Sequence, residues 1–257
     1  MVRWRFLKPR VPKIEPIIAK TITLGSKYGR KTMVPPKTNT ENLIVISGGV
    51  GEDISFDVEL ANLYQSRIIL IDPSEIAIAH FTQVLHSLGE SKKTDYSNSS
   101  RQDVSSYDLS SISTETFEYL PFGLWNEAKT LNFYEPPDKR RDASGSIHGI
   151  HSNYKTNQIS TQIKVVTIGN IMEDLSLSHI DILKLDIEGS ALEVISRMFK
   201  DKIFPTQILV EIDEMHFPSF KSKFRAEKLF RLISNNRYKL ASIDSCDFLY
   251  LRIDYIQ

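Results

Sequence analysis

A chain of 257 residues, 41% hydrophobic and 25% charged, can bury a substantial core and is too apolar for a disordered chain. Its 32 basic and 32 acidic residues cancel, so no overall field favours nucleic acid or an anionic membrane as partner. The lone cysteine, Cys246, excludes an intrachain disulfide and a cysteine-built metal site, and it suits a reducing compartment.

The charge is uneven along the chain. Residues 1–31 hold nine lysines and arginines against one acid, Glu15, which marks residues 1–40 as a basic arm and lead-in, most simply solvated, ahead of a domain over 41–257. Contact with an acidic polymer or lipid is the other reading of such an arm. The first 20 residues are broken by prolines and charges and lack the apolar centre of a signal peptide. Apolar runs elsewhere fall far short of the ~20 residues of a membrane-spanning helix, so a cytoplasmic chain without such a span is expected.

Strand-like and helix-like segments then alternate, the mark of an α/β fold with a mainly parallel sheet. Residues 42–47, NLIVIS, read as a buried strand that runs into GGVG; residues 53–64 follow with Phe56, Leu60 and Leu63 on one helical stripe and Ile54, Val58 and Ala61 on another. RIILID (67–72) is the next strand, and the helix after it aligns Ala77, Phe81, Val84, Leu85 and Leu88, with Gly89 as its stop. Residues 91–116, with nine serines, read as a polar insertion before a strand near 116–122, and LNFYEP adds a short one. Residues 136–160 have no period and read as a lid or as disorder.

KVVTI, a helical patch at 171–175, the strand IDILKLDIEG and a helix carrying Leu192, Ile195, Met198 and Phe199 come next. QILVEID (207–213) is a further strand, followed by a helix with Ala226, Leu229, Phe230 and Ile233. The last strands, 238–243 and 248–253, are joined by DSCD and predict an antiparallel pair.

Two places carry chemistry. In ISGGVGEDISF (46–56) a strand turns through glycines into a helix, which leaves backbone N–H groups facing a crevice and lets a ligand approach closely. Asp72 ends the next strand 21 residues after Gly51, the spacing at which a carboxylate accepts from ribose hydroxyls. A ligand-free tight turn, and a turn role for Asp72 before Pro73, are the structural alternatives. A nicotinamide dinucleotide fits less well than a cofactor without a pyrophosphate, because Ile54 stands where G-x-G-x-x-G needs its third glycine.

The second place is KLDIEG (184–189). Strand alternation puts Lys184, Asp186 and Glu188 on one face, at the carboxyl edge where open α/β sheets bind ligands. The two acids would be helix caps, except that Ser190 and Glu193 already spell a capping box. A structural ion pair with Lys184 is the alternative to a functional role. Asp186, Glu188 and Glu211 are also oxygen ligands of the kind hard cations take, but no complete metal-ligand set is visible.

IDILKLDIEGSALEVI, GGVGEDISFDVEL with RIILIDPS, GLWNEAKTLNFYEP and QILVEID resemble, in order, segments of the FkbM family of S-adenosylmethionine-dependent methyltransferases, over roughly residues 23–253. The resemblance implies a Rossmann-like class I methyltransferase fold: a seven-stranded, mostly parallel sheet with an antiparallel last strand and helices on both faces. It implies methylation of a hydroxyl oxygen on a sugar or other small-molecule acceptor, with no nucleic-acid partner. By position, Ser47, Gly48, Gly49, Gly51, Asp53, Asp72 and Pro73 would hold S-adenosylmethionine. Asp186 and Glu188 would face the acceptor, with Glu211 and His216 in reserve and His148 and His151 in the lid. Ser47 stands where many class I enzymes have an acid, and Glu52 or Asp53 is the substitute. A nicotinamide-dependent oxidoreductase and a non-catalytic binding module are the alternatives on the same fold.

Overall fold

The computed structural model describes residues 7–14, 20–36, 42–134, 145–147, 161–216 and 219–256. A lid over 136–160 therefore falls outside the described residues except at 145–147, as do His148 and His151.

Parallel strands β3 (Leu43–Gly48), β4 (Ser66–Ile71), β5 (Phe117–Leu120), β9 (Ile182–Leu185) and β10 (Gln207–Glu211) make the centre of a seven-stranded sheet. The hairpin β11 (Tyr238–Asp244) and β12 (Asp247–Arg252) completes it, with the last strand, β12, inserted antiparallel between β10 and β11. This is the mixed, mostly parallel sheet expected of a class I methyltransferase. Helices α1 (Ser55–Leu63), α2 (Glu75–His86), α3 (Ile168–Asp174), α4 (Ala191–Lys200) and α5 (Phe220–Asn235) surround it, and α6 (Ile253–Ile256) closes the described chain.

Side-chain alternation along the buried strands divides the core in two. Ile46, Ile69, Leu183, Leu185 and Ile208 point to one face and pack with Leu192, Ile195, Met198, Leu229 and Ile233 of α4 and α5. Val45, Ile68, Leu70, Ile182 and Leu209 point to the other and meet Phe56, Val58, Leu60, Phe81 and Val84 of α1 and α2. Of the two α1 stripes, Ile54, Phe56, Val58 and Leu60 are buried, whereas Leu63 is exposed and Ala61 half-buried, so the last turn of α1 is not covered on both sides as its apolar pattern predicts.

Two features lie outside the sequence expectation. β6 (Gly123–Leu124), β7 (Lys129–Phe133) and β8 (Thr161–Val166) form a separate three-stranded sheet. β1 (Ile22–Leu24) and β2 (Lys31–Met33) form a hairpin within the basic lead-in. Lys20 and Lys27 are exposed as a solvated arm requires, but Lys31 and Met33 are buried.

Candidate active site

β3 ends in a turn held from both sides. The N–H of Gly49 donates to the carbonyl of Ile71 at 2.8 Å, and the N–H of Gly51 donates to Asp72 Oδ2 at 3.0 Å. The donors of Gly49 and Gly51 are thus spent within the protein, which corrects the expectation that they face the crevice unpaired. Asp72 Oδ1 accepts from the N–H and hydroxyl of Ser74, at 2.9 and 2.6 Å, and Ser74 caps α2. So Asp72 both ties the glycine turn to β4 and sits on the cavity wall. Gly49 and Gly51 have φ of +74° and +50°, the left-handed region that glycine occupies without a Cβ penalty.

Asp53 precedes α1 as expected. Its Oδ1 accepts from Ser55 N–H at 3.0 Å, and its Oδ2 from the Ser26 hydroxyl at 2.6 Å and from Gln102 Nε2 at 3.3 Å. It therefore joins the N-terminal hairpin and the Ser-rich insertion to the glycine turn. Glu52 is paired with Arg101 at 2.7 Å. Ser47 is fully buried, and neither it nor Gly48 forms part of the cavity wall.

At the other end, β9 stops at Leu185 and the chain leaves the sheet, with Glu188 and Gly189 at φ of +49° and +83°. Lys184, Asp186 and Glu188 nonetheless all line the cavity. The partner of the acids is not Lys184, whose Nζ donates to the carbonyl of Gly49 at 3.4 Å. It is Lys31, with Nζ 3.0 Å from Asp186, 3.4 Å from Glu211 and 2.5 Å from Asp247. Burial alone would lower the Lys31 pKa, but the three carboxylates outweigh it and hold it well above the usual value. His216 stands 3.4 Å from Glu211, which raises its pKa.

Ser190 and Glu193 do not form the capping box their spacing suggests. Ser190 makes no side-chain cap bond. Glu193 is drawn off by Arg225, whose Nη1 and Nη2 reach its carboxylate at 2.6 and 2.8 Å, a bidentate pair that outcompetes a backbone N–H. Arg225 also donates to the carbonyl of Gly189 at 2.6 Å and to Glu214 at 2.9 Å. The N–H of Gly189 goes to Asp213 Oδ2 at 2.6 Å. Burial, reinforced by Glu188, Glu211 and Asp186, pushes the Asp213 carboxyl well above the ordinary range. The strained turn that carries Glu188 is thus clamped by Arg225 and Asp213.

Between the two ends lies a cavity of about 410 Å³, within the range of small-molecule sites. Gly49, Gly51, Asp53, Asp72 and Pro73 line one part; Asp186, Glu188, Glu211, His216 and Asp247 line another. Phe133, Ile147 and Ile163 add an apolar wall from the small sheet and the segment beside it. Sequence reasoning missed Lys31, Asp213, Arg225 and Asp247. The register Glu211↔Asp247 between β10 and β12 makes the last a neighbour of the acids, a relation the DSCD turn composition did not disclose.

The family model described as the methyltransferase FkbM domain matches residues 35–240. The chain belongs to the FkbM methyltransferase family. FkbM methyltransferases use S-adenosylmethionine, which decides the cofactor against a nicotinamide. A crystal structure of methyltransferase FkbM from Methylobacillus flagellatus KT is 13% identical, with a TM-score of 0.44 over 84% of this chain and 44% of that one. The chain thus spans less than half of that protein. No curated protein matches. Among the described residues, no helix is long and apolar enough to cross a membrane.

A Cβ built on Gly51 meets nothing within 4 Å, so the wall is open there without being an internal packing site, and a nucleoside could approach the backbone closely at that point.

Proposed function

We propose that this FkbM enzyme methylates a hydroxyl oxygen of a sugar or other small-molecule acceptor. What supports the reading most is one juxtaposition: Asp186 and Glu211, at the carboxyl ends of adjacent strands β9 and β10, face the same cavity as Asp72 and Gly51. When bound, S-adenosylmethionine supplies an activated sulfonium methyl. Asp72 Oδ2, which already receives the Gly51 N–H, would accept one further hydrogen bond from a ribose hydroxyl, and Gly51 leaves room for the nucleoside. Asp186 would orient the acceptor hydroxyl and take its proton as the oxygen takes the methyl carbon from sulfur, whose bond to that carbon breaks to leave S-adenosylhomocysteine. Glu211, with His216 against it, is the second acceptor of hydrogen bonds from a polyol.

The apolar wall of Phe133, Ile147 and Ile163 covers one face of the acceptor and excludes water. Acceptor choice belongs to the segments around Ser100 and Gly145–Ile147, which reach the cavity from the two insertions.

The test is transfer from methyl-tritiated S-adenosylmethionine to a panel of sugars, alcohols and amines, with the product located by mass spectrometry. Label on an acceptor oxygen is expected. Label confined to nitrogen, or no transfer to any hydroxyl by protein that binds S-adenosylhomocysteine, would overturn the reading.

A further inference from the structure

Part of the basic arm and the outer face of α5 come together on the surface. α5 buries Ala226, Leu229, Phe230 and Ile233 in the core, and helical spacing turns Phe220, Lys221, Phe224, Lys228 and Arg231 outward, where all five are exposed. Phe220 and Phe224, at 79% and 63%, are the two most exposed large hydrophobic side chains among the described residues. A merely solvated helix face mixes acids with its cations. This stripe carries no acid.

Glu227, the one acid of α5, is engaged within the protein: it accepts from the Arg10 N–H at 3.0 Å and stands 4.0 Å from Lys223. The bond to Arg10 holds residues 7–14 beside the helix. That segment adds exposed Lys8, Arg10 and Lys13, and with them exposed Val11 and Ile14.

Exposed apolar side chains set among cations are what a peripheral protein offers an anionic bilayer. The apolar groups enter the acyl boundary, and Lys and Arg reach the headgroup phosphates. We propose that the outer stripe of α5 and residues 7–14 dock the enzyme onto an anionic lipid surface. The charge pattern selects this occupant. A second copy of the chain, paired symmetrically through the same face, would set cations against cations. A nucleic-acid strand could use the cations and stack on the phenylalanines, but Val11 and Ile14 offer it no stacking plane, and a chain of zero net charge has no overall field to draw a polyanion. A bilayer needs only the local cluster, because its surface potential acts within a Debye length, ~8 Å at physiological salt.

His216, on the cavity wall, is four residues ahead of Phe220, at most about 14 Å along the chain. Docking therefore brings the acid-lined end of the cavity near the lipid surface, where an acceptor held at that surface gains effective concentration over one free in solution. This consequence rests on the methyl-transfer reading; the docking itself does not.

The test is sedimentation of the full chain with vesicles of phosphatidylcholine alone and of phosphatidylcholine with about 30% phosphatidylglycerol, at low and high salt. Wild type is expected to bind the anionic vesicles at least about tenfold more tightly than the neutral ones, and to lose most of that binding at high salt. Phe220→Ser with Phe224→Ser, and separately Lys221→Glu with Lys228→Glu, should each weaken binding at least about tenfold. All four side chains are exposed, so both variants should keep the wild-type Tm and S-adenosylhomocysteine affinity.

Equal binding to the two kinds of vesicle, no binding to either, or wild-type binding by either variant overturns the inference. So does tighter binding to a single-stranded oligonucleotide than to anionic vesicles, or a wild-type dimer in analytical ultracentrifugation that Phe220→Ser with Phe224→Ser dissociates. Every outcome is read without turnover, so failure of the methyl-transfer reading would leave the vesicle result standing.

Discussion

Gly49 and Gly51 look equivalent in the sequence and share a left-handed backbone, yet replacing each with alanine is expected to do different things. Both substitutions incur the cost of a Cβ at positive φ, about 1–2 kcal/mol. At Gly51 the new methyl enters open space, so the loss of stability ends there. At Gly49 it would overlap the carbonyl oxygen of Asp186, a backbone atom that cannot swing aside. Overpacking adds about 1–3 kcal/mol, so Gly49→Ala is expected to lose roughly 2–5 kcal/mol in all. Relief of the clash must move the Asp186 backbone, whose N–H is bonded to Gly48 at 3.0 Å, and methyl transfer should fall with stability. Gly51→Ala should instead weaken S-adenosylhomocysteine binding with a smaller loss of stability. Urea unfolding and calorimetric titration separate the two variants. Equal unfolding free energies, or wild-type affinity in Gly51→Ala, would refute the reasoning.

Arg225→Ala should destabilise by about 3–5 kcal/mol, because it removes the bidentate partner of Glu193 and the ion pair of buried Glu214 and releases Gly189; chemical denaturation measures this, and a loss below about 1 kcal/mol would place the clamp elsewhere. Asp72→Asn keeps the shape but leaves one of the turn's donors facing an amide NH₂ group, so S-adenosylhomocysteine affinity should drop with a stability loss of about 1–3 kcal/mol; unchanged affinity by calorimetry would count against Asp72. Asp213 has a raised folded pKa, so the folded protein holds a proton that the unfolded chain releases above about pH 4. Stability contributed there is present at low pH and is lost as pH rises through the folded value. Asp213→Asn should therefore flatten the fall of Tm as pH rises above about 4, and an unaltered slope would show that another group carries it.

The main sheet was legible because its strands are near-continuous apolar runs, such as those around Ile46, Ile69 and Leu209, punctuated by glycines and acids at their carboxyl ends. The glycine turn and Asp72 were legible for the same reason: local spacing along one chain segment fixes them. What escaped depends on contacts between distant segments. Lys31 has a three-residue strand and a basic neighbourhood that reads as a solvated arm, and its partners come about 155 to 216 positions later, at Asp186 and Asp247. The Ser190–Glu193 capping pattern was overruled because Arg225, on a different helix, offers Glu193 two charged donors. Alternation also overran its strand: Asp186 and Glu188 reach the cavity through a turn with positive φ at Glu188, a conformation no period-two pattern anticipates.

Asp186 is the proposed receiver of the acceptor's proton, and the most direct measurement of that role is single-turnover methyl transfer by Asp186→Asn beside S-adenosylhomocysteine affinity for the same protein. The rate is expected to fall by at least about 100-fold with affinity essentially unchanged. A variant that transfers the methyl at the wild-type rate would contradict it.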